Sequence, residues 1–420
     1  MNGPGAGGGP ESRRVVILGG GFAGAGVAQR LGDAARVTLI SNENFLLFTP
    51  MLVEVAAGDV DPRHIVAPLR QLAPHAQFVQ GEVVRIDPSS RSVEVRPVFG
   101  TGPIVVEGDV LVIALGSVSN TYGVPGVEEN ALSFKSIGDA LRIRNRLLAL
   151  LEAASHDPQP VYTRVAVIGA GYSGAELAAA VGDFLHDAAG RFYPEAPAPE
   201  VILVDAVDRV APALPRSVSQ SAERALRARG VRLELGSAVS AVTKNGVELA
   251  SGRRVEAATV VWAAGVRPHP LVGTLGLPVE RGRLIVDRHL RASAGLYAVG
   301  DAAYSHAGQG FSPPTAQFAI RQGRYLGSQL PALLRNDRDV PGFSYSTKGE
   351  LVSLGHRNAV GKVLGLPVSG LFGWFLWRSY YLLQLPTFLR KARVALDWTL
   401  DMFFPPDIAW LPTSDLGPPR

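Results

Sequence analysis

Apolar positions in this chain fall into short, β-branched runs, several of which end in glycine and lead into a helix-forming stretch. Two such blocks share one plan. The first predicts a strand Arg14–Leu18, a helix from about Gly21 to Leu31 and a strand Arg36–Ile40. The second predicts a strand Arg164–Ile168, a helix from Gly171 to about Leu185 and a strand Val201–Ala206. Further strands are expected around Gly81–Asp87, Asp109–Ser117, Thr259–Pro268 and Gly295–Asp301, with a helix from Pro313 to about Leu330. The alternation of strand and helix predicts an α/β fold with two Rossmann-like dinucleotide-binding domains. The proline-bearing insertion His186–Pro199 reads as an exposed excursion from the second block.

The pattern changes after a β-like stretch, Tyr345–Leu364. Two segments, Ser369–Leu383 and Phe388–Phe404, are dense in aromatic residues, and Pro386 separates them. Leu389, Val394, Ala395, Trp398, Met402 and Phe403 recur at roughly helical spacing, and Arg390, Lys391 and Arg393 gather near the start of the same segment. The longest uncharged apolar stretch is about 15 residues, short of the roughly 20 that a membrane span needs. Such an amphipathic helical region suits the lipid interface, with tryptophans and basic residues near headgroups. A helix pair packed on the body, or a dimer contact, gives the same spacing.

The two glycine blocks carry the chemistry. Each reads G-x-G-x-x-G: Gly19, Gly21 and Gly24, then Gly169, Gly171 and Gly174 about 150 residues later. The first glycine permits the strand-to-helix turn, the second lets backbone approach a pyrophosphate, and the third lets helix and strand pack closely. The helix N-terminus then offers free N–H groups and a positive dipole end. Two dinucleotides on one chain imply electron traffic between them. The first block lacks the usual ribose acid: its strand ends Ile40, Ser41, Asn42, Glu43, so Ser41 or Glu43 stands in for it. The second ends in Asp205, whose carboxylate accepts from a free 2′-hydroxyl and repels a 2′-phosphate, favouring NADH over NADPH. Arg209 nearby pulls the other way. Glu176 follows Gly174 by two positions and is expected in the first helical turn, facing the dipole.

Composition narrows the class. The 420 residues contain no cysteine, which excludes disulfides, iron–sulfur clusters, thiolate metal sites and CxxC redox chemistry. The eight histidines are scattered, so no metal is expected. A net charge of +4 without a dense basic run gives no reason to expect nucleic acid. Met1 to Arg14 is Gly-rich with no apolar core, so it reads as a disordered cytoplasmic tail and not a signal peptide. The electron carriers must be bound cofactors.

Together the two fingerprints, FTPML, DVLVIALGS, VWAAGVRP, LYAVGD, PPTAQFA and the tail VALDWTLDMFFPPDIAWL resemble type II NADH dehydrogenases. These are single-subunit, FAD-containing, non-pumping NADH:quinone oxidoreductases, and the resemblance spans about residues 13 to 412. It implies a disordered tail over 1–12, a discontinuous FAD-binding domain over 13–125 and 290–345, an NAD(H)-binding domain over 126–289, and a membrane-associating region over 346–420. It implies that Gly19, Gly21 and Gly24 hold the FAD pyrophosphate, and that Asp301 takes a ribitol hydroxyl. Ser41 and Val83 would then lie at the adenosine, with Thr49, Pro50, Gly116, Ala316 and Gln317 towards the flavin ring. Gly169, Gly171, Gly174, Asp205 and Gly265 would hold NADH. Glu176 would orient the nicotinamide or deliver a proton. Gln317 would flank the quinone entrance together with Arg321, which departs from the commoner glutamine pair. The implied partners are a membrane quinone and, through the C-terminal helices, the cytoplasmic lipid surface, with a homodimer as a further possibility. Cysteine-dependent relatives of this plan are excluded. A soluble reductase serving a ferredoxin- or rubredoxin-like protein, and a non-enzymatic NADH-responsive flavoprotein, remain as competing readings.

Overall fold

A computed structural model describes residues 13–411 other than 101, 308, 309, 336, 338 and 348. The expected tail 1–12 lies outside the described residues. The longer helices used below are α1 (Phe22–Leu31), α2 (Leu52–Ala57), α3 (Ile137–His156), α4 (Tyr172–Phe192), α5 (Ala316–Leu334), α6 (Gly370–Gln384) and α7 (Phe388–Asp401).

The chain divides into two compact units. The first contains the chain up to Leu46, Ala67–Val118 and Arg267–Ser346. Its sheet runs, edge to edge, Arg291–Ser293, Leu296–Ala298, Val110–Ile113, Arg14–Leu18, Arg36–Ser41, Gln77–Asp87, Ser92–Pro97 and Ile104–Glu107. The strands from Leu296 to Gln77 in that order are parallel. Val15 pairs with Val37 on one side and Val110 on the other, so strand order reverses at this strand. In open α/β sheets a ligand crevice opens at such a switch point, beyond the carboxyl ends of the strands. Val15 to Leu18 are wholly buried, as a strand covered on both faces requires. α1 packs on α5 through small residues: a Cβ at Gly323 would come within 2.4 Å of the Ala23 carbonyl oxygen.

The second unit contains Leu47–Val66, Ser119–Val266 and the chain from Thr347 on. Its parallel sheet is ordered Leu132–Ser133, Thr259–Trp262, Arg164–Ile168, Glu200–Val204, Arg232–Glu234. A three-stranded antiparallel sheet, Val239–Thr243, Gly246–Leu249 and Arg254–Glu256, shares its core. A second one, Gly349–Ser353, Ala359–Val363 and Leu366–Val368, precedes α6.

Several expected boundaries move. Residues 47–66 belong to the second unit because α2, buried along its whole length, packs against α3 and α4. Residues 267–289 belong to the first, where Arg283–Ile285 pairs with Ala303–Tyr304. The C-terminal region is not a separate body either. Asn145 on α3 donates to the Leu411 carbonyl at 2.6 Å, and Arg144 donates to that of Asp407. The expected excursion His186–Pro199 is half helix: α4 continues to Phe192 and buries Ala188 and Ala189, leaving the prolines to the loop after it.

Candidate active site

In the first unit the glycine fingerprint is set by close approach. Gly19 takes φ +110°, and a Cβ there would meet the Ala114 carbonyl oxygen at 2.2 Å. A Cβ on Gly24 would come within 1.9 Å of the Gly19 oxygen. Gly21 is different: it caps α1, and a Cβ would meet no protein atom within 4 Å. It faces open space at a helix N-terminus, where a pyrophosphate fits. Ser41 is buried against this turn, its Oγ 2.8 Å from where a Gly20 Cβ would lie, whereas Glu43 is exposed.

Asp301 lies in the short turn Gly300–Ala302, and its carboxylate accepts from Ser117 Oγ at 2.6 Å. Gly116, at φ +69°, precedes that serine and has open space where a Cβ would stand. The turn is fixed by a residue the sequence did not single out. Gln322, fully buried, accepts from Gly300 N at 2.6 Å and donates to Ser305 Oγ at 2.8 Å. Its neighbour Arg321 is exposed, its guanidinium 5.2 Å from the centre of the Tyr345 ring. Ala316 and Gln317 open α5, and Tyr345 Oη donates to Gln317 Oε1 at 3.4 Å. Val83 is buried beside a bulge, where the register against Ser92–Pro97 shifts between Val83 and Arg85.

The second unit repeats the turn. Gly169 takes φ +107° with a virtual Cβ 2.6 Å from Ala264 Cα, and a Cβ on Gly174 would lie 1.8 Å from the Gly169 oxygen. Gly171 again faces open space. Asp205 accepts from Ala170 N and, at 2.9 Å, from Val207 N, so it also holds the fingerprint turn in place. Arg209 donates to the Pro212 carbonyl of its own loop. Gly265 takes φ +117°, with Tyr122 Oη 3.0 Å from its virtual Cβ. Thr49 and Pro50 form a short turn after the buried Phe48, which meets Tyr381 of α6 edge-on.

Glu176 does not serve the helix dipole in the way its position suggests. It sits beyond the first turn of α4, and its carboxylate accepts from Ser353 N at 2.9 Å. Desolvation pushes its pKa up to about 8, against the lowering pull of Ser353 N and Trp377. Burial also raises the phenols of Tyr172 and Tyr381, both near this acid, and Tyr172 donates to Glu350 at 2.9 Å.

A small cleft of about 20 Å³, room for about one water, is lined by Glu176, Ser353, Trp377, Glu54, Asp59, His356 and Arg378 among others. Apart from Glu176, its ionisable members escaped sequence reasoning because they come from α2, α6 and a β-hairpin. Glu54 is buried, accepts from Trp398 Nε1 at 3.0 and 3.1 Å, and is pushed up to about 8 by desolvation. Arg378 is buried between Trp374 and Trp398, 4.1 and 4.7 Å from their ring centres. His356 is raised to about 9, chiefly by Asp59.

All three raised groups hold extra protons in the folded state, so stability is lost as pH rises. For Glu54 and Glu176 the window runs from 4.5 to about 8, and for His356 from 6.5 to about 9. The melting temperature should therefore fall across this range, with a shallower slope in Glu54→Gln. A flat or rising profile between neutral and mildly alkaline pH would contradict this.

Two glycine cradles with open middle positions, each served by a carboxylate, define a two-nucleotide oxidoreductase. The pyridine nucleotide-disulphide oxidoreductase family model matches residues 13–323, and the NDH2 C-terminal domain matches 347–406. The chain is 31% identical to a type II NADH:quinone oxidoreductase of Mycobacterium tuberculosis, over 93% of this chain and 88% of that protein. It is 30% identical to a probable NADH dehydrogenase of Dictyostelium discoideum, over 95% of this chain and 91% of that protein. Its fold matches that of NDH2 from Plasmodium falciparum, solved with NADH, with a TM-score of 0.88 at 19% identity, covering 95% of this chain and all of that one. The chain belongs to the type II NADH:quinone oxidoreductase family.

Proposed function

We propose that this protein oxidises NADH and passes the electrons through bound FAD to a quinone at a lipid surface. The observation that carries the reading is the pair of open glycine cradles on a chain without cysteine. Gly21 and its flanking backbone would hold the FAD pyrophosphate, and Asp301, positioned by Ser117, would take a ribitol hydroxyl. Gly171 would face the NADH pyrophosphate and Asp205 its adenosine ribose. When bound, FAD supplies the hydride acceptor and passes the electrons on singly or in pairs; the protein supplies position and protons. Gln317 and Arg321 line the approach for the acceptor. Glu176, protonated below about pH 8, holds a proton in the second unit.

The purified protein should be yellow, and heat should release FAD. NADH oxidation with menaquinone, ubiquinone and a small protein acceptor, with and without lipid, tests the reading. Turnover with the protein acceptor alone would sink it.

Asp205→Ala should narrow the preference for NADH over NADPH by about tenfold or more, since a carboxylate that repels the 2′-phosphate is lost. Stopped-flow bleaching of the flavin with each nucleotide measures this. An unchanged ratio would mean that Asp205 serves only the turn.

No helix among the described residues is long and apolar enough to cross a membrane. The lipid contact we propose is peripheral, on the cytoplasmic face. It uses the exposed Leu371, Phe372, Phe375, Phe388, Leu396 and Phe403 of α6, α7 and the turn after them. Two of the tryptophans expected at the headgroups do otherwise: Trp377 and Trp398 are buried against the body, and Val394 with them, while Trp374 is half-buried. Arg390 donates to the Arg63 carbonyl at 2.7 Å.

A further inference from the structure

Quinone reduction by NADH takes up one proton from solution per turnover: NADH + H⁺ + quinone gives NAD⁺ + quinol. The hydride brings one proton with its electron pair, and the quinol carries two. Some group must bring the second proton in from water.

We propose that Asp59, His356, Asp401 and Glu54 form a proton route that opens to solvent at His356 and refills Glu176. The proposal rests on the reading of Glu176 as the proton donor. Glu176, Glu54, Asp59 and His356 all line the same small cleft, which has room for about one bridging water. The His356 side chain is 43% exposed, and the ionisable atoms of Asp59, His356 and Asp401 lie within 4.8 Å of one another. That spacing lets a proton pass directly or across one water. Glu54 lies at the buried end, held by Trp398 on α7 and facing Arg378 on α6.

The charge count shows why the route carries a proton at neutral pH. Five carboxylates, Glu54, Asp59, Asp401, Asp183 and Asp187, share three cations, Arg378, His356 and Arg229, around this cleft. Like charges so close cannot all ionise, so a carboxyl stays protonated. Asp183 and Arg229 flank the mouth: His356 N donates to Asp183 at 2.6 Å, and Arg229 donates to the His356 carbonyl. Tyr172, Tyr381, Trp377 and Ser353 face Glu176 at the other end. The proton enters at His356 beside Asp59 and Asp401, moves past Glu54 through the one-water space they line, and replaces the one that Glu176 gives to the acceptor. Every relay group returns to its starting state.

The test uses the full-length holoenzyme with Glu54→Gln and, separately, His356→Gln. Glutamine keeps an acceptor for Trp398 but carries no proton. Steady-state quinone reduction should fall about tenfold near neutral pH, where the wild-type relay still holds its protons. Bleaching of the flavin by NADH, which needs no proton from solution, should keep its rate. Imidazole, which the half-exposed site can admit, should restore part of the loss in His356→Gln. Infrared difference spectra of the wild type should show a protonated carboxyl band that Glu54→Gln removes. Quinone turnover like the wild type in both variants would overturn the route, as would equal losses in bleaching and turnover. A wild type that bleaches but never reduces quinone would sink the functional reading itself.

Discussion

Gly24→Val is expected to give a colourless protein with a sharply lowered melting temperature. A Cβ at Gly24 would stand 1.9 Å from the Gly19 oxygen and 3.1 Å from its carbonyl carbon, so helix and strand must part. Gly19 cannot yield, because its N–H is bonded to the Ile40 oxygen at 2.8 Å and its own Cβ direction is closed by Ala114. Overpacking of this kind costs about 1–3 kcal/mol when neighbours relax, and more where the obstacle is backbone. Gly21→Ala separates the cradle from the packing. Its Cβ meets no protein atom, so the melting temperature of the cofactor-free protein should stay within about a degree or two of wild type. The methyl would nonetheless stand where the pyrophosphate must approach, and FAD occupancy should fall. Flavin absorbance per chain and thermal melts of the stripped protein decide both. Full FAD occupancy in Gly21→Ala would mean that the dinucleotide lies elsewhere.

Both fingerprint units are legible in the sequence because every constraint in them is local. The strand Arg14–Leu18 appears where the apolar run places it, and so does Arg164–Ile168. Their glycines are read from spacing, because turn and helix start follow directly along the chain. What escapes is whatever depends on non-local packing. Glu54 looks like an ordinary acid on a short helix until α7 brings Trp398 over it. Arg378 draws no notice in the sequence until two indole faces close around it. Gln322 follows the conspicuous Arg321, yet it is the buried one, tied to the Asp301 turn from above. Glu176 lies two positions after a fingerprint glycine, and its partner Ser353 is 177 residues away. Helical spacing in α7 showed an apolar stripe but not that the stripe has two faces, one inward at Val394 and Trp398, one outward at Leu396 and Leu400.

Replacing Phe372, Phe375 and Phe403 together by serine should release the protein from anionic vesicles while leaving it folded and yellow. These rings are 64, 64 and 76% exposed, so their loss opens no cavity in the body. Leu371, Phe388 and Phe404 on the same two helices and the turn after them are exposed as well. Burying each in the acyl boundary contributes on the order of 1.5 kcal/mol, so removing three weakens partition by roughly a thousandfold. Cutting the chain at Thr347 is a poorer experiment. It would strip Trp377, Trp398 and Val394 from the core of the second unit, along with the sheet that supplies Ser353 to Glu176. Loss of a buried tryptophan alone costs about 3–5 kcal/mol, so a truncated chain would report unfolding. In the triple variant, flotation with vesicles measures binding, and the reduction of long-tailed against short-tailed quinones measures access. Binding should be lost, and turnover should fall for the long-tailed quinone while a water-soluble one is reduced as before. A triple variant that floats with vesicles like the wild type would assign this apolar face to a second copy of the chain, and sedimentation would then show a dimer that the substitutions split.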